Sequence, residues 1–364
     1  MPGVRNIALS KLEGYIVEGK AKAMGGLQRL AEEYSIRKDF MVKPGAVEFA
    51  SGSSDVVPIV GGNPYNLTKH SRGQLLSRAS IPVTFADNLT GMGRADLLRH
   101  NLTELLPQVS KEGLMFRTVG RTAKGVLSPS YRRMDASPLF EGYAAQSLSA
   151  GLVPYRGDVT DTRSYLSFIQ PQVIELLPSE YIVMGSELRT SDYGNGALQF
   201  NLSVLRLLCQ NGMVGMDMLR KVHLGRRFDG QEFSGTGGVI ELSSRTMELD
   251  TRTVRSALGD AVRGMNASMK ALEATLRDKA TESVNLVAAL DKLRKGGFKK
   301  ETVDRVRTVY EAQLPVEALP EEPGLWRFAN VVSMIANSTT GDEHLDLQDA
   351  AMSLMVPMSG RRAA

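Results

Sequence analysis

Apolar residues recur along the chain with changing spacing, and each spacing predicts its own kind of element. Leu27, Leu30 and Ala31 share one face of a helix over residues 23–34, within a helical arm that covers residues 1–40. Residues 41–64 lose that period. Pro44, Pro58 and Pro64 break any helix there, and Val56, Val57, Ile59 and Val60 predict one short strand in a connector. From Thr68 the helical spacing returns with Leu75, Leu76 and Ala79, and Ile81-Pro82 ends it. A second helix is expected over residues 94–106, with Leu97, Leu98, Leu102 and Leu105 on its buried side.

At Gly113 the period shifts toward two. Residues 114–119 and 122–127 read as two strands joined by a Gly120-Arg121 turn, which makes a β-hairpin. A helix is expected over residues 138–148, then strands over 164–170, 180–189 and 197–208, the last two joined by a tight Asn195-Gly196 turn. Residues 219–224 add another strand before an Asp229-Gly230 turn. Beyond Leu249 the spacing becomes heptad-like: Leu258, Val262, Met265, Met269, Leu272 and Leu276 follow steps of four and three. Such a seam is buried against another helix of the chain or against a second copy, and its shortness favours the chain itself. Helices are also expected over 302–313, 325–338 and 345–355. The pattern as a whole predicts an α+β fold, with a central, mostly antiparallel sheet containing β-hairpins, flanking helices and a helical carboxy-terminal region. It divides the chain into residues 1–64 (arm and connector), 65–249 (α+β core) and 250–364 (helical region).

Composition adds limits. With 364 residues, 42% of them hydrophobic, the chain is long enough for a large core, and its 44 basic residues exceed the acidic ones by only four. That excess points only faintly to nucleic acid. The single cysteine, Cys209, excludes an internal disulfide and a cysteine-rich zinc cage, and implies a reducing, cytoplasmic setting. Charged residues interrupt the amino terminus, so no signal peptide is expected, and no apolar run is long enough to cross a bilayer.

Few residues carry a recognisable chemistry. The four histidines stand in no Ser-His or Cys-His context, no phosphate-cradling glycine motif occurs, and no cofactor is expected. Asp342, Glu343, His344 and Asp346 read as the start of a solvated helix, with a hard-cation site as the alternative. Asp158 and Asp161 have the same alternative, but no third ligand is evident. The positive signal is arginine. Between residues 113 and 230 there are 13 Lys/Arg against 10 Asp/Glu, eleven of the thirteen being arginine. Guanidinium forks suit phosphate oxygens, and an aromatic ring beside them can stack on an unpaired base. Arg117, Arg121, Lys124, Tyr131, Arg132, Arg133, Arg220, Lys221, Arg226 and Arg227 are therefore the candidate nucleic-acid contacts. The other reading of the same residues is a solvated strand face with local ion pairs.

Several segments, taken in order, resemble one family. QLLSRASIP (74–82), ADLLRHNLTELL (95–106), GVLSPSYRR (125–133), GALQFNLSVLRLLCQNGM (196–213) and LWRFANVVSMIANS (325–338) are similar to stretches of the phage- and plasmid-encoded proteins of unknown function typified by YfjQ and YafZ. The likeness runs over residues 65–358. Pro129 departs from the Leu-Ser-x-x-Tyr-Arg motif, and the amino-terminal arm matches weakly. The resemblance implies a mobile element in the cytoplasm of a bacterial host and a role accessory to DNA replication, recombination or host takeover. With the basic residues, it leads to the expectation of a non-enzymatic nucleic-acid-binding protein, with single-stranded DNA binding or annealing favoured and homo-oligomers formed through the carboxy-terminal helices. A structural or host-interaction protein without nucleic acid is the alternative, and a metal-dependent nuclease the third.

Overall fold

The computed structural model describes residues 4–209, 211–221, 239–241, 248–312, 314–315 and 318–356. Helix α1 (Val4–Ser35) leads into strand β1 (Arg37–Val42). Short strands β2 (Glu48–Phe49), β3 (Pro58–Val60) and β4 (Asn63–Pro64) form a small antiparallel sheet, and β5 (Asn66–Leu67) precedes helices α2 (Lys69–Arg78), α3 (Val83–Gly91) and α4 (Ala95–Val109). The hairpin β6 (Leu114–Val119) and β7 (Thr122–Leu127) turns at Gly120-Arg121, as the period-two pattern predicts. Helix α5 (Ala136–Ser149) then leads to β8 (Val153–Val159), β9 (Ser164–Ile169), β10 (Ile174–Leu177), β11 (Glu180–Thr190), β12 (Leu198–Arg206), β13 (Asn211–Lys221) and β14 (Val239–Glu241). The helical end of the chain comprises α6 (Glu248–Ala280), α7 (Leu286–Lys295), α8 (Lys300–Glu311), α9 (Leu325–Asn337) and α10 (Asp342–Met355). The fold is α+β and its sheets are almost wholly antiparallel, as expected; β5 with β7 is a parallel pair.

The strands do not make one central sheet. They divide into a five-stranded sheet ordered β14-β1-β6-β7-β5 and a six-stranded sheet ordered β13-β12-β11-β9-β8, with β10 on β11. Each sheet has its own apolar core. Phe40, Val42, Phe116 and Val126 of the smaller sheet pack on Leu75, Leu76, Leu98 and Leu102 of α2 and α4. In the larger sheet β11 is buried along its whole length, as a strand covered on both faces must be. Ile182, Met184 and Leu188 face the core built with α5, α6 and α9, whereas Tyr181 and Val183 face Ala8 and Leu12 of α1. The loop between β11 and β12 spans residues 191–197, wider than the tight turn expected, and its Ser191 hydroxyl accepts the amides of Tyr193 and Asn195 at 3.2 and 2.8 Å. The antiparallel pairing of these strands holds from Ile182↔Arg206 to Arg189↔Gln199.

Residues 4–64 are built into this core. Strand β1 pairs with β6 along its length, and α1 lies against the edge strand β8. Its glycines allow that approach: a Cβ at Gly19 would sit 2.3 Å from the Tyr155 carbonyl oxygen, and one at Gly26 would sit 2.8 Å from the Gly157 carbonyl carbon. On the other side, α6 runs beneath the larger sheet with every seam residue from Leu258 to Leu276 buried, so the seam closes a core within the chain.

Candidate functional site

The hairpin arginine at the centre of the predicted set lies inside the protein. Arg117 is fully buried. Its Nε and Nη2 donate to the two carboxylate oxygens of Asp39 at 2.8 and 3.1 Å, Nη2 also donates to Asp135 at 2.5 Å, and Nη1 to the Asp192 carbonyl at 2.9 Å. Asp39 stands directly opposite Arg117 in the β1–β6 register, so the pairing of the strands makes the ion pair. Arg37 joins Asp135 and Asp192 at 2.7 and 2.8 Å, and Arg133 reaches Asp39 at 3.2 Å. Three arginines thus meet three aspartates, and the Asp192 carboxylate accepts the first amide of α5 at 3.1 Å. The knot ties β1 and β6 of the smaller sheet to α5 and to the loop that follows β11.

The rest of the predicted set is scattered. Lys124 pairs with Glu33 and lies 5.4 Å from the centre of the Tyr193 ring. Tyr131 donates its hydroxyl to the Ser191 carbonyl at 2.9 Å, and burial pushes that hydroxyl's pKa up. Arg132 is half-buried, and Arg121 is exposed on the hairpin turn. Arg220 and Lys221 close β13, opposite Gln199 and Leu198, while Arg226 and Arg227 lie outside the described residues. Arg117 and Arg133 are corrections to the surface reading: buried carboxylates occupy the guanidinium fork of Arg117, and Arg133 donates from Nη1 to the same buried Asp39.

A different set of residues converges on an open polar cleft of about 720 Å³. One wall is the face of α2 that carries Lys69, His70, Gln74, Ser77 and Arg78. Thr68 caps this helix by accepting the Ser71 amide, and Leu75 and Leu76 bury the opposite face, which leaves the polar residues toward the opening. The other wall is the β8–β9 turn, Thr160 to Thr162, with Asn195 and the start of α10 at Gly341 and Asp342. His70 Nε2 and Gln74 Nε2 both donate to the Tyr193 carbonyl at 2.9 Å, so α2 is fixed to the loop beneath the cleft. Asp342 accepts from Thr160, Thr162 and Asn195 at 3.0, 2.5 and 2.9 Å, which fixes the far wall.

The two walls differ in charge. Among the described residues, neither Lys69 nor Arg78 has a carboxylate within ion-pair distance. Arg78 is partly desolvated, and this burial lowers its pKa, with no anion among the described residues to offset it. Sequence reading passed over these residues because α2 was recognised by its apolar stripe alone. Its polar face carries no motif, and the opposite wall comes from segments more than eighty positions away.

The acidic stretch 342–346 is a pinned helix start. Beside the Asp342 contacts, Glu343 accepts the Thr302 hydroxyl at 2.9 Å and Asp346 pairs with Arg163 at 2.6 Å. Asp158 pairs with Arg29. Among the described residues no group of three His, Cys, Asp or Glu is placed to hold a metal ion. Cys209 accepts from Arg206 Nη1 at 3.0 Å, and burial pushes its thiol pKa up.

His344 is buried, with Nδ1 donating to the Ala336 carbonyl at 2.7 Å and Nε2 unpaired. Burial, reinforced by Arg156, pulls its pKa down to about 4. A histidine held neutral in the fold but ordinary when unfolded, near 6.5, contributes stability that is present above about pH 6.5 and lost as pH falls toward 4. The expected loss is ~3 kcal/mol across that window. Urea unfolding of wild type and His344→Gln at both ends of the window checks this. A pH dependence of equal size in the two proteins would remove His344 as its source.

No family model, curated protein or solved structure matches this chain. The fold and site define an α+β protein of two large, mostly antiparallel sheets and a small third one, with a two-walled polar cleft. Among the described residues no helix is long and apolar enough to cross a membrane.

Proposed function

We propose that this protein binds nucleic acid without chemically altering it, and that a single strand of DNA passes through the cleft beside α2. The observation that carries the reading is the pair of cations, Lys69 and Arg78, on one wall of an open polar cleft with no carboxylate partner among the described residues. They suit phosphate oxygens. A volume near 720 Å³ lies within the small-molecule range of ~300–1,000 Å³, which fits one or two nucleotides of a splayed strand and not a duplex. The resemblance to YfjQ and YafZ proteins supports a mobile-element setting, with annealing or recombination as the process served.

Anisotropy of a labelled oligo-dT in a salt titration tests the proposal. Binding is expected to weaken steeply with salt. In the Lys69→Ala/Arg78→Ala variant the logarithmic slope is expected to fall by about 1.4, since each phosphate contact to a single strand contributes about 0.7. Absence of binding at low salt, or an unchanged slope in a variant that melts like wild type, would sink it.

One observation favours protein contact instead. Val83, Phe85, Met92 and Leu97 are all exposed on α3, the turn after it and α4. Exposed apolar side chains on two successive helices fit a protein partner, so co-elution with another protein in place of DNA retention would support the structural or host-interaction reading.

A further inference from the structure

We infer, on the reading that the cleft holds a single strand, that it prefers guanine and that Asp161 makes the selection. Two carboxylates stand on the wall opposite α2. Asp342 is engaged by Thr160, Thr162 and Asn195. Asp161 is exposed, and no hydrogen bond or ion pair engages its side chain among the described residues. The wall therefore presents a free, acceptor-only group across from Lys69 and Arg78.

That asymmetry orients a nucleotide. Phosphates are drawn to the α2 cations and repelled by Asp161, so the base is the part turned toward the carboxylate. Unpaired bases are read on their Watson–Crick edges. Guanine presents two adjacent donors there, N1–H and the 2-amino group, spaced to meet both oxygens of one carboxylate as a guanidinium does. Thymine presents one N–H between two carbonyl oxygens, which a carboxylate repels. Cytosine and adenine present one amine beside a ring-nitrogen acceptor, so each offers Asp161 a single bond.

The test uses full-length protein and labelled oligo-dT carrying a few guanines, compared with the same strand in which inosine replaces each guanine. Inosine keeps N1–H and lacks only the 2-amino group. Because Asp161 is exposed, the low end of the range for a bidentate base contact applies, and the guanine strand is expected to bind about fivefold more tightly. In Asp161→Asn the ratio is expected to fall to about one, since the amide keeps only one acceptor and adds a donor. Equal affinity for the two strands in wild type overturns the selectivity and leaves the cleft as an unselective strand site, and a preference that survives in Asp161→Asn overturns the assignment to Asp161. If no strand binds even at low salt, the cleft reading and the selectivity fall together.

Discussion

Replacing Arg117 by alanine is expected to lower the stability of the protein by ~3–5 kcal/mol at neutral pH, the cost of leaving buried carboxylates unpaired. Arg117 bonds both oxygens of Asp39 and also reaches Asp135, and all three side chains are buried. Its removal leaves Arg37 and Arg133 against three aspartates. Arg117→Lys restores the charge without the planar fork and should recover only part of the loss. The pH dependence supplies a second check. Burial pushes the Asp135 carboxyl up, but Arg117 and Arg37 outweigh it and hold it below the ordinary carboxylate range. A carboxylate held low in the fold contributes stability above its unfolded pKa, near 3.9, and loses it as pH falls below that value. Without Arg117 the burial effect gains on the remaining arginine, and taking up a proton relieves the unpaired charge. The gap between wild type and Arg117→Ala, read as urea midpoints, is therefore expected to narrow from pH 7 to pH 3.5. A constant gap would mean that Arg117 acts through packing alone.

This knot also shows where sequence reading stopped. The β6–β7 hairpin, the β11–β12 pairing and the α6 seam were all legible because each is written in local periodicity. Arg117 stands in a legible hairpin, yet its side chain answers to Asp39, 78 positions away, through a strand that the period did not reveal. Strand β8 was hidden for a related reason: Pro154, Arg156, Gly157 and Asp158 give it no apolar alternation, and it is held by β9 on one side and α1 on the other. The amino-terminal arm was read as helical over residues 1–40, but the helix ends at Ser35 and residues 37–40 already belong to strand β1. Gly19 and Gly26 are where α1 meets the β8 backbone. The cleft was invisible for a third reason. Its residues are ordinary polar side chains, and only the fold brings α2, the β8–β9 turn and the start of α10 to one opening.

Aspartate in place of Met265 is expected to cost ~4–5 kcal/mol, enough to leave much of the population unfolded at moderate temperature. Met265 is 2% exposed at the middle of the α6 seam, between Val262 and Met269, in the core that also holds Phe140, Phe168 and Phe328. Two losses add. The thioether no longer fills its site, worth ~2 kcal/mol of apolar burial, and a carboxyl group is placed where the apolar cluster supplies no partner. Because α6 touches α5, α9, α10 and the larger sheet, the damage is expected to spread through that core. Met265→Leu keeps the apolar contact at nearly the same volume and should cost less than ~1.5 kcal/mol. The pair separates the two ways a heptad-like stripe can be buried. If α6 closes this core, Met265→Asp melts far below wild type and Met265→Leu does not, while the mass of the folded protein is the same in all three. A Met265→Asp protein that keeps wild-type melting but changes its mass by light scattering would mean that the seam joins two copies.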